Sequence, residues 1–203
     1  VFIFALPGFW IIINDPRVLQ TIFTPTIYNT ILISPSIMSF YLIPVFLLLF
    51  LQGSFSIDFK DKNNLISFCL ISFLIIFISF IFDYNISVGG GFFVKLSYLT
   101  FGNNFLGVIT SIIGLFLLYL IARENKGNFV IITILIIGFP AQYIFQEYFE
   151  PMFFFIFFLM LNSQYSKLFL QKKINSLFLS LYFFSYLGSA IVNDIFKITK
   201  NIS

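Results

Sequence analysis

Long apolar runs alternate with short polar stretches along most of this chain, and several runs have the length of a membrane span rather than of a core helix. A span needs about 20 predominantly apolar residues to cross about 30 Å of hydrocarbon. On that criterion, helices are expected over Val1–Ile13, 35–51, 65–82, 104–122, 129–140, 151–161 and 177–192. Pro44 marks an expected kink in the second. The expected fold is therefore all-α, a polytopic transmembrane helical bundle of about seven membrane segments forming a single domain over 1–203. The polar stretches 14–34, 52–64, 83–103, 123–128 and 162–176 read as connections, the first of them interfacial or partly helical. The opening run is too short to span and does not begin with Met. It is read as a helix truncated at its start, so that the chain is expected to be the C-terminal part of a longer protein.

One interruption is unusual. "FPAQYIFQEYFEP", residues 139–151, places Gln142, Gln146, Glu147 and Glu150 between two strongly apolar stretches. The apolar runs on either side are short, so part of this segment is expected to be helical and to extend one or both spans. The alternative is a re-entrant hairpin, whose irregular backbone must be enclosed by protein or line a wet cavity. Glu147 and Glu150 are three residues apart and share a helix face, with Gln146 beside them. Intramembrane acids often mark pathways or catalysis because burying them is expensive. An interfacial turn explains much of the same pattern. In that reading Pro151 opens the next helix at its first turn, and Glu150 complements that helix's dipole.

Composition confirms the class. Hydrophobic residues make up 60% and charged residues 9% of the 203 positions, against about 25% charged in soluble domains. Mean hydropathy is +1.03. Phe occurs 33 times, in keeping with an AT-rich genome, so single phenylalanines carry no functional weight. The chain has no His and one Cys, Cys69, which excludes an intrachain disulfide, a His-based metal site and a Ser-His-Asp triad within these residues. A net charge of +3, scattered along the chain, gives no footing for nucleic acid.

The charges do set an expected orientation. Lys60, Lys62, Arg123, Lys126, Lys167, Lys172 and Lys173 fall on one set of connections, and Arg17, Lys95, Lys197 and Lys200 on the other. The richer set is expected to be cytoplasmic, which puts loops 14–34, 83–103 and 140–150 on the non-cytoplasmic side. The expected location is the bacterial inner membrane. Within the external set, "GGG" at Gly89–Gly91 permits a sharp turn or a close backbone approach, yet lacks any nucleotide-loop spacing. Lys95 is placed to meet a phosphate or to snorkel. Arg17 is placed to pair with Asp15 or to hold a lipid phosphate. Gly107 and Gly114 lack GxxxG spacing.

"YIFQEYFEPMFFFIFFLML", residues 143–161, resembles a feature of the GT-C type multispanning membrane glycosyltransferases. In these an external loop enters a late transmembrane helix through an "RY-x-x-P" or "QKY-x-x-P" pattern. Here Tyr148 and Pro151 have that spacing, and Glu147 stands where the basic residue often stands. The resemblance covers about 20 residues. It implies transfer of a sugar from a polyprenyl-phosphate-linked donor on the non-cytoplasmic face, with the principal catalytic Asp upstream of Val1. Gln146, Glu147, Tyr148, Glu150, Lys95 and Arg17 are then the substrate-binding candidates. The resemblance fixes no cofactor, and positive charge or a divalent metal ion beside the leaving phosphate would suit the chemistry. Two other classes stay open. One is a transporter, or a polymerase or ligase of surface polysaccharide, using the glutamates as a relay. The other is a non-catalytic subunit of a membrane complex.

Overall fold

A computed structural model describes residues 26–84, 89–137 and 144–202, and its side chains over 27–84, 89–137, 144–147 and 149–188. These residues form α1 (Thr26–Leu51), α2 (Lys62–Ile81), α3 (Gly91–Phe101), α4 (Phe105–Ala122), α5 (Lys126–Ile137), α6 (Gln146–Phe155), α7 (Gln164–Leu170) and α8 (Lys173–Ile202). Helix α6 continues without a break into a π-helical turn, Ile156–Met160. All the described elements are helical. Three of them, α1, α2 and α4, are long and apolar enough to cross a membrane. A fourth is added if Phe149–Met160 and Gln164–Leu170 count as one broken span. The expected helix 129–140 appears as α5, whose 12 residues fall short of a span.

Two expected helices match closely: 65–82 is observed as Lys62–Ile81, and 104–122 as Phe105–Ala122. Three connections are corrected. Residues 26–34 belong to α1, so that helix begins nine residues before Pro35. The stretch 83–103 contains α3, and 162–176 contains α7 and the start of α8. The expected opening helix, with Asp15 and Arg17, lies outside the described residues.

The chain divides into two compact units. In the first, which includes α1 as far as Leu42 and α2–α6, α1 is packed almost all round. Leu32, Ile33, Ile37, Met38 and Leu42 are buried, and so are Thr30, Ser34, Ser36 and Ser39. Lipid is as apolar as leucine, so helices in a membrane gain little from apolar contact with each other. Close approach through small residues and interhelical hydrogen bonds takes its place. The α1–α4 interface follows this rule. The Ser36 and Thr110 hydroxyls are 2.8 Å apart in a buried hydrogen bond, and Ser111 Oγ donates to the Leu32 carbonyl. Gly114 lies against Pro35 and Ser39. Although Gly107 and Gly114 lack GxxxG spacing, Gly107–Ser111 and Thr110–Gly114 are each small-xxx-small pairs, a signal visible once Ser and Thr are counted.

Polar groups fasten one end of this unit. Asp61 caps α2 by accepting from Asn63 N at 3.0 Å. Arg123, just past α4, lies 3.7 Å from the Asp61 carboxylate and donates to Asn64 Oδ1. Asn128, 2% exposed, donates to the Ile121 and Asn162 carbonyls, both at 3.1 Å. It also accepts from Asn162 N at 3.0 Å. The start of α2, the end of α4, the start of α5 and Asn162, two residues after the π turn, are thus held together. The α2 surface points away from the unit, with Phe73 72% and Phe80 82% exposed.

The second unit, Ile43–Ile57 with the chain from Gln164, has an aromatic centre. Phe46 lies 4.8 Å from Phe55 and 5.0 Å from Tyr165 between ring centroids. An amide relay supports it: Gln52 Nε2 donates to Asn175 Oδ1, and Asn175 Nδ2 donates to the Phe169 carbonyl at 2.9 Å.

Candidate functional site at the glycine-rich turn

Two stretches singled out on sequence, Gly89–Gly91 and the start of "QEYFEP", meet in the first unit. Gly90 N donates to the Ile144 carbonyl at 2.8 Å, while Ile144 N donates to the Tyr84 hydroxyl at 2.9 Å. Phe92 N donates to Gln146 Oε1 at 2.8 Å. Tyr84 and Ile144 are buried, at 9% and 2% exposed.

The glycines are there for backbone reasons. Their φ angles are +84°, +89° and +75°, a left-handed run that side chains disfavour. A Cβ on Gly89 would lie 2.6 Å from the Tyr84 hydroxyl and 2.7 Å from the Ile144 carbonyl oxygen. The backbone approaches closely here, and its partner is residue 144 of this chain. Gly90 then caps α3, whose first N–H groups have no helical partners. Gln146 supplies one of them with an acceptor. Sequence reasoning missed Tyr84 and Ile144, because neither a lone tyrosine nor an isoleucine in an apolar run carries a local signal.

Helix α6 begins at Gln146, with Phe145 extended before it. This corrects the reading of Pro151 as a first-turn residue: it is the sixth residue of the helix. Its missing N–H leaves the Glu147 carbonyl without its usual helical donor. The acid in the first turn is Glu147, so the dipole partner is Glu147 and not Glu150. Two contacts explain the earlier start. Gln146 is tied to α3, and Phe149 is buried to 1%, followed one turn on by Phe153, which stacks on Tyr41 at 5.0 Å.

Glu147 is exposed and Glu150 half-buried. Lys95 is exposed on α3, one turn beyond Phe92. The side chain of Tyr148 lies outside the described residues, as do Gln142 and Arg17. On α3, burial and then the nearby Asp83 carboxylate raise the Tyr98 phenol above its ordinary 10.0. Asn29 Nδ2 donates to the Asp83 carbonyl at 2.8 Å, which fastens α1 to the same region. Among the described residues, no group of three or more Cys, Asp or Glu side chains converges as a metal site would require. The structure thus ties Gln146, the first residue of α6, to the helix that carries Lys95.

The helices and their apolar outer surfaces define a membrane protein. Comparison with family models, with curated proteins and with solved structures gave no match.

Removing the Gln146 amide tests its assignment as a helix-capping group. Gln146→Ala leaves the Phe92 N–H without its acceptor, which costs about 1 kcal/mol at this half-buried position. Hydrogen exchange at the Phe92 amide is expected to speed up about fivefold, while Gln146→Glu, which keeps an acceptor oxygen, leaves it slow.

Proposed function

We propose that this chain is the membrane part of a GT-C type glycosyltransferase that takes a sugar from a polyprenyl-phosphate-linked donor at the non-cytoplasmic face. The single observation that carries the reading is the hydrogen bond from Phe92 N to Gln146 Oε1, 2.8 Å long. It joins "QEYFEP" to the helix bearing Lys95, so that an acid and a cation stand on two fastened elements. In this reading Lys95 faces the donor phosphate, where positive charge stabilises the leaving group. Glu147 and Tyr148 face the sugar or its acceptor. Glu150 and Arg17 are further substrate-binding candidates, and a divalent metal ion beside the phosphate would suit the chemistry.

The proposed topology has about seven membrane segments, with the stretch 14–25 before α1, 83–103 and 140–150 on the non-cytoplasmic side of a bacterial inner membrane. The Arg123–Asp61 contact supports it by gathering Lys60, Lys62, Arg123 and Lys126 toward one end of the first unit. By the positive-inside rule that end is cytoplasmic.

The test is a transfer assay on membranes carrying the full-length protein, with labelled polyprenyl-phosphate sugar. Glu147→Gln is expected to lower turnover about tenfold, the loss of one charge-assisted hydrogen bond. Tyr148→Phe lowers it less. Unchanged turnover in both variants, at normal membrane levels, would remove the assignment. A pH-dependent solute flux abolished by Glu147→Gln would replace it with a transport reading.

A further inference from the structure

The connection between α2 and α4 carries a helix whose outward face is unsuited to water. Helix α3 has 11 residues, so it is about 16 Å long at 1.5 Å per residue, about half a bilayer core. It cannot be a span. Its position is nevertheless tied to a helix that can be, α4. Leu106 N, in the first turn of α4, donates to Ser97 Oγ at 2.8 Å. Gly107 packs on Val94, with only 3.0 Å left for a Cβ. Because α2 and α4 are consecutive candidate spans, the end of α2 and the start of α4 share one membrane face, and α3 lies at that face.

The residues that α3 turns inward are Gly91, Val94 and Ser97. Its exposed positions are Lys95, Leu99 (84% exposed), Thr100 and Phe101, and the half-buried Leu96 shares the face of Lys95 and Leu99, while Phe92 packs on Phe40 at 5.3 Å between ring centroids. Phe101, 58% exposed, closes the helix and lies 5.9 Å from Phe105, itself 56% exposed. On the preceding span, the last turn exposes Phe80 and Ile81. Three successive elements therefore present apolar side chains outward at one end of the unit. The lipid-facing surface of the two spans continues onto α3 rather than stopping at the span ends. A solvated loop helix would turn mainly polar side chains outward, whereas two of the four exposed positions of α3, Leu99 and Phe101, are large and apolar.

We infer that α3 is an interfacial helix. It lies along the membrane surface with Leu99 and the outward edge of Leu96 sunk into the headgroup–acyl boundary of a lipid bilayer, and Phe101 continues the apolar surface onto Phe105. The Lys95 stem lies along that apolar surface and its ammonium reaches the headgroups. The occupant of this face is lipid, and not a second protein. The inference rests on α2 and α4 spanning the membrane and is independent of glycosyl transfer. In physical terms, the Gln146 contact then fastens the α6 entry to a helix anchored in the membrane surface, which sets the depth of Glu147.

The experiment uses the full chain in liposomes, with Cys69 replaced by Ala and nitroxides placed singly at positions 73, 99 and 125. Position 73 is in the middle of α2, and 125 lies in the polar turn before α5. Collision with oxygen relative to a water-soluble nickel chelate reads depth. Position 99 is expected several-fold higher in this ratio than 125 and below 73, at a depth of about 5–10 Å. A ratio at 99 equal to that at 125, with 73 deep, would overturn the interfacial placement alone. Shielding of 99 from both reagents would overturn it in favour of a protein partner. An aqueous reading at 73 would overturn the spanning assignment and this inference with it. As a second readout, Leu99→Trp in a Trp10→Phe background should be quenched by lipids brominated near the headgroup end of the acyl chain. Absence of quenching counts against the proposal in the same way. Neither outcome depends on whether Glu147→Gln lowers transfer.

Discussion

Gly114→Ala is expected to destabilise the first unit by about 3 kcal/mol, near the upper end of the usual cost of overpacking. A Cβ at this position would fall well inside van der Waals contact with the Pro35 carbonyl oxygen, 2.9 Å from the Pro35 carbonyl carbon and 3.1 Å from Ser39 Cβ. The obstacle is mainly backbone, so no rotamer change relieves it, and α1 and α4 must move apart. Separation also strains the Ser36–Thr110 hydrogen bond and the bond from Ser111 to the Leu32 carbonyl, each worth about 0.6 kcal/mol in membrane helices. Detergent-titrated unfolding in bicelles measures the effect. Gly188→Ala is the control, since nothing lies within 4 Å of its built Cβ. There the gain in helix propensity should leave stability unchanged or raise it by up to about 1 kcal/mol. Equal stability of the two variants would show that α1 and α4 do not approach through Gly114.

Gly89→Ala carries the second large effect, about 2–3 kcal/mol. Its φ of +84° costs a side chain about 1–2 kcal/mol by itself. Collision with the Ile144 carbonyl and the Tyr84 hydroxyl, at 2.7 and 2.6 Å, adds the rest. Gly102→Ala separates the two contributions. Its φ is +66° and nothing lies within 4 Å of a Cβ there, so only the backbone cost should appear. The excess in Gly89→Ala is expected as faster hydrogen exchange at Gly90, Phe92 and Ile144, the three amides of the docked turn. If both variants lose the same stability and Ile144 stays protected, the docking of residue 144 on the turn is wrong. Under the proposed function, Gly89→Ala also lowers transfer, because it loosens the element that positions Glu147.

The legible part of the fold lay where one local property was enough. Helices α2 and α4 have long uninterrupted apolar runs between polar turns, and their ends were read to within three residues. The start of α2 also carries a local start signal, the Asp61 cap. Helix α3 escaped because its 11 residues are short of a span and contain Lys95. It is fastened by Ser97 to α4 and by Gln146 to its own first turn, neither of which follows from hydropathy. The beginning of α6 was misplaced for a related reason. Proline after a polar stretch is a sound first-turn signal, but here burial of Phe149 and the tie through Gln146 carry the helix back past Pro151.

The candidate site divides along the same line. Residue types and order alone determined that this is a membrane protein of apolar helices, that three consecutive glycines permit a sharp turn, and that Gln146, Glu147 and Glu150 interrupt an apolar region. Only the tertiary structure decided that the glycine turn and Gln146 meet across 54 positions of chain. It also assigned the amide to capping α3 and left the Glu147 side chain exposed. Hydrophobic periodicity reports what each segment needs from lipid or core. A hydrogen bond between distant backbone and side-chain groups depends on how the packed helices bring their ends together, and that is set by the whole unit rather than by any stretch within it.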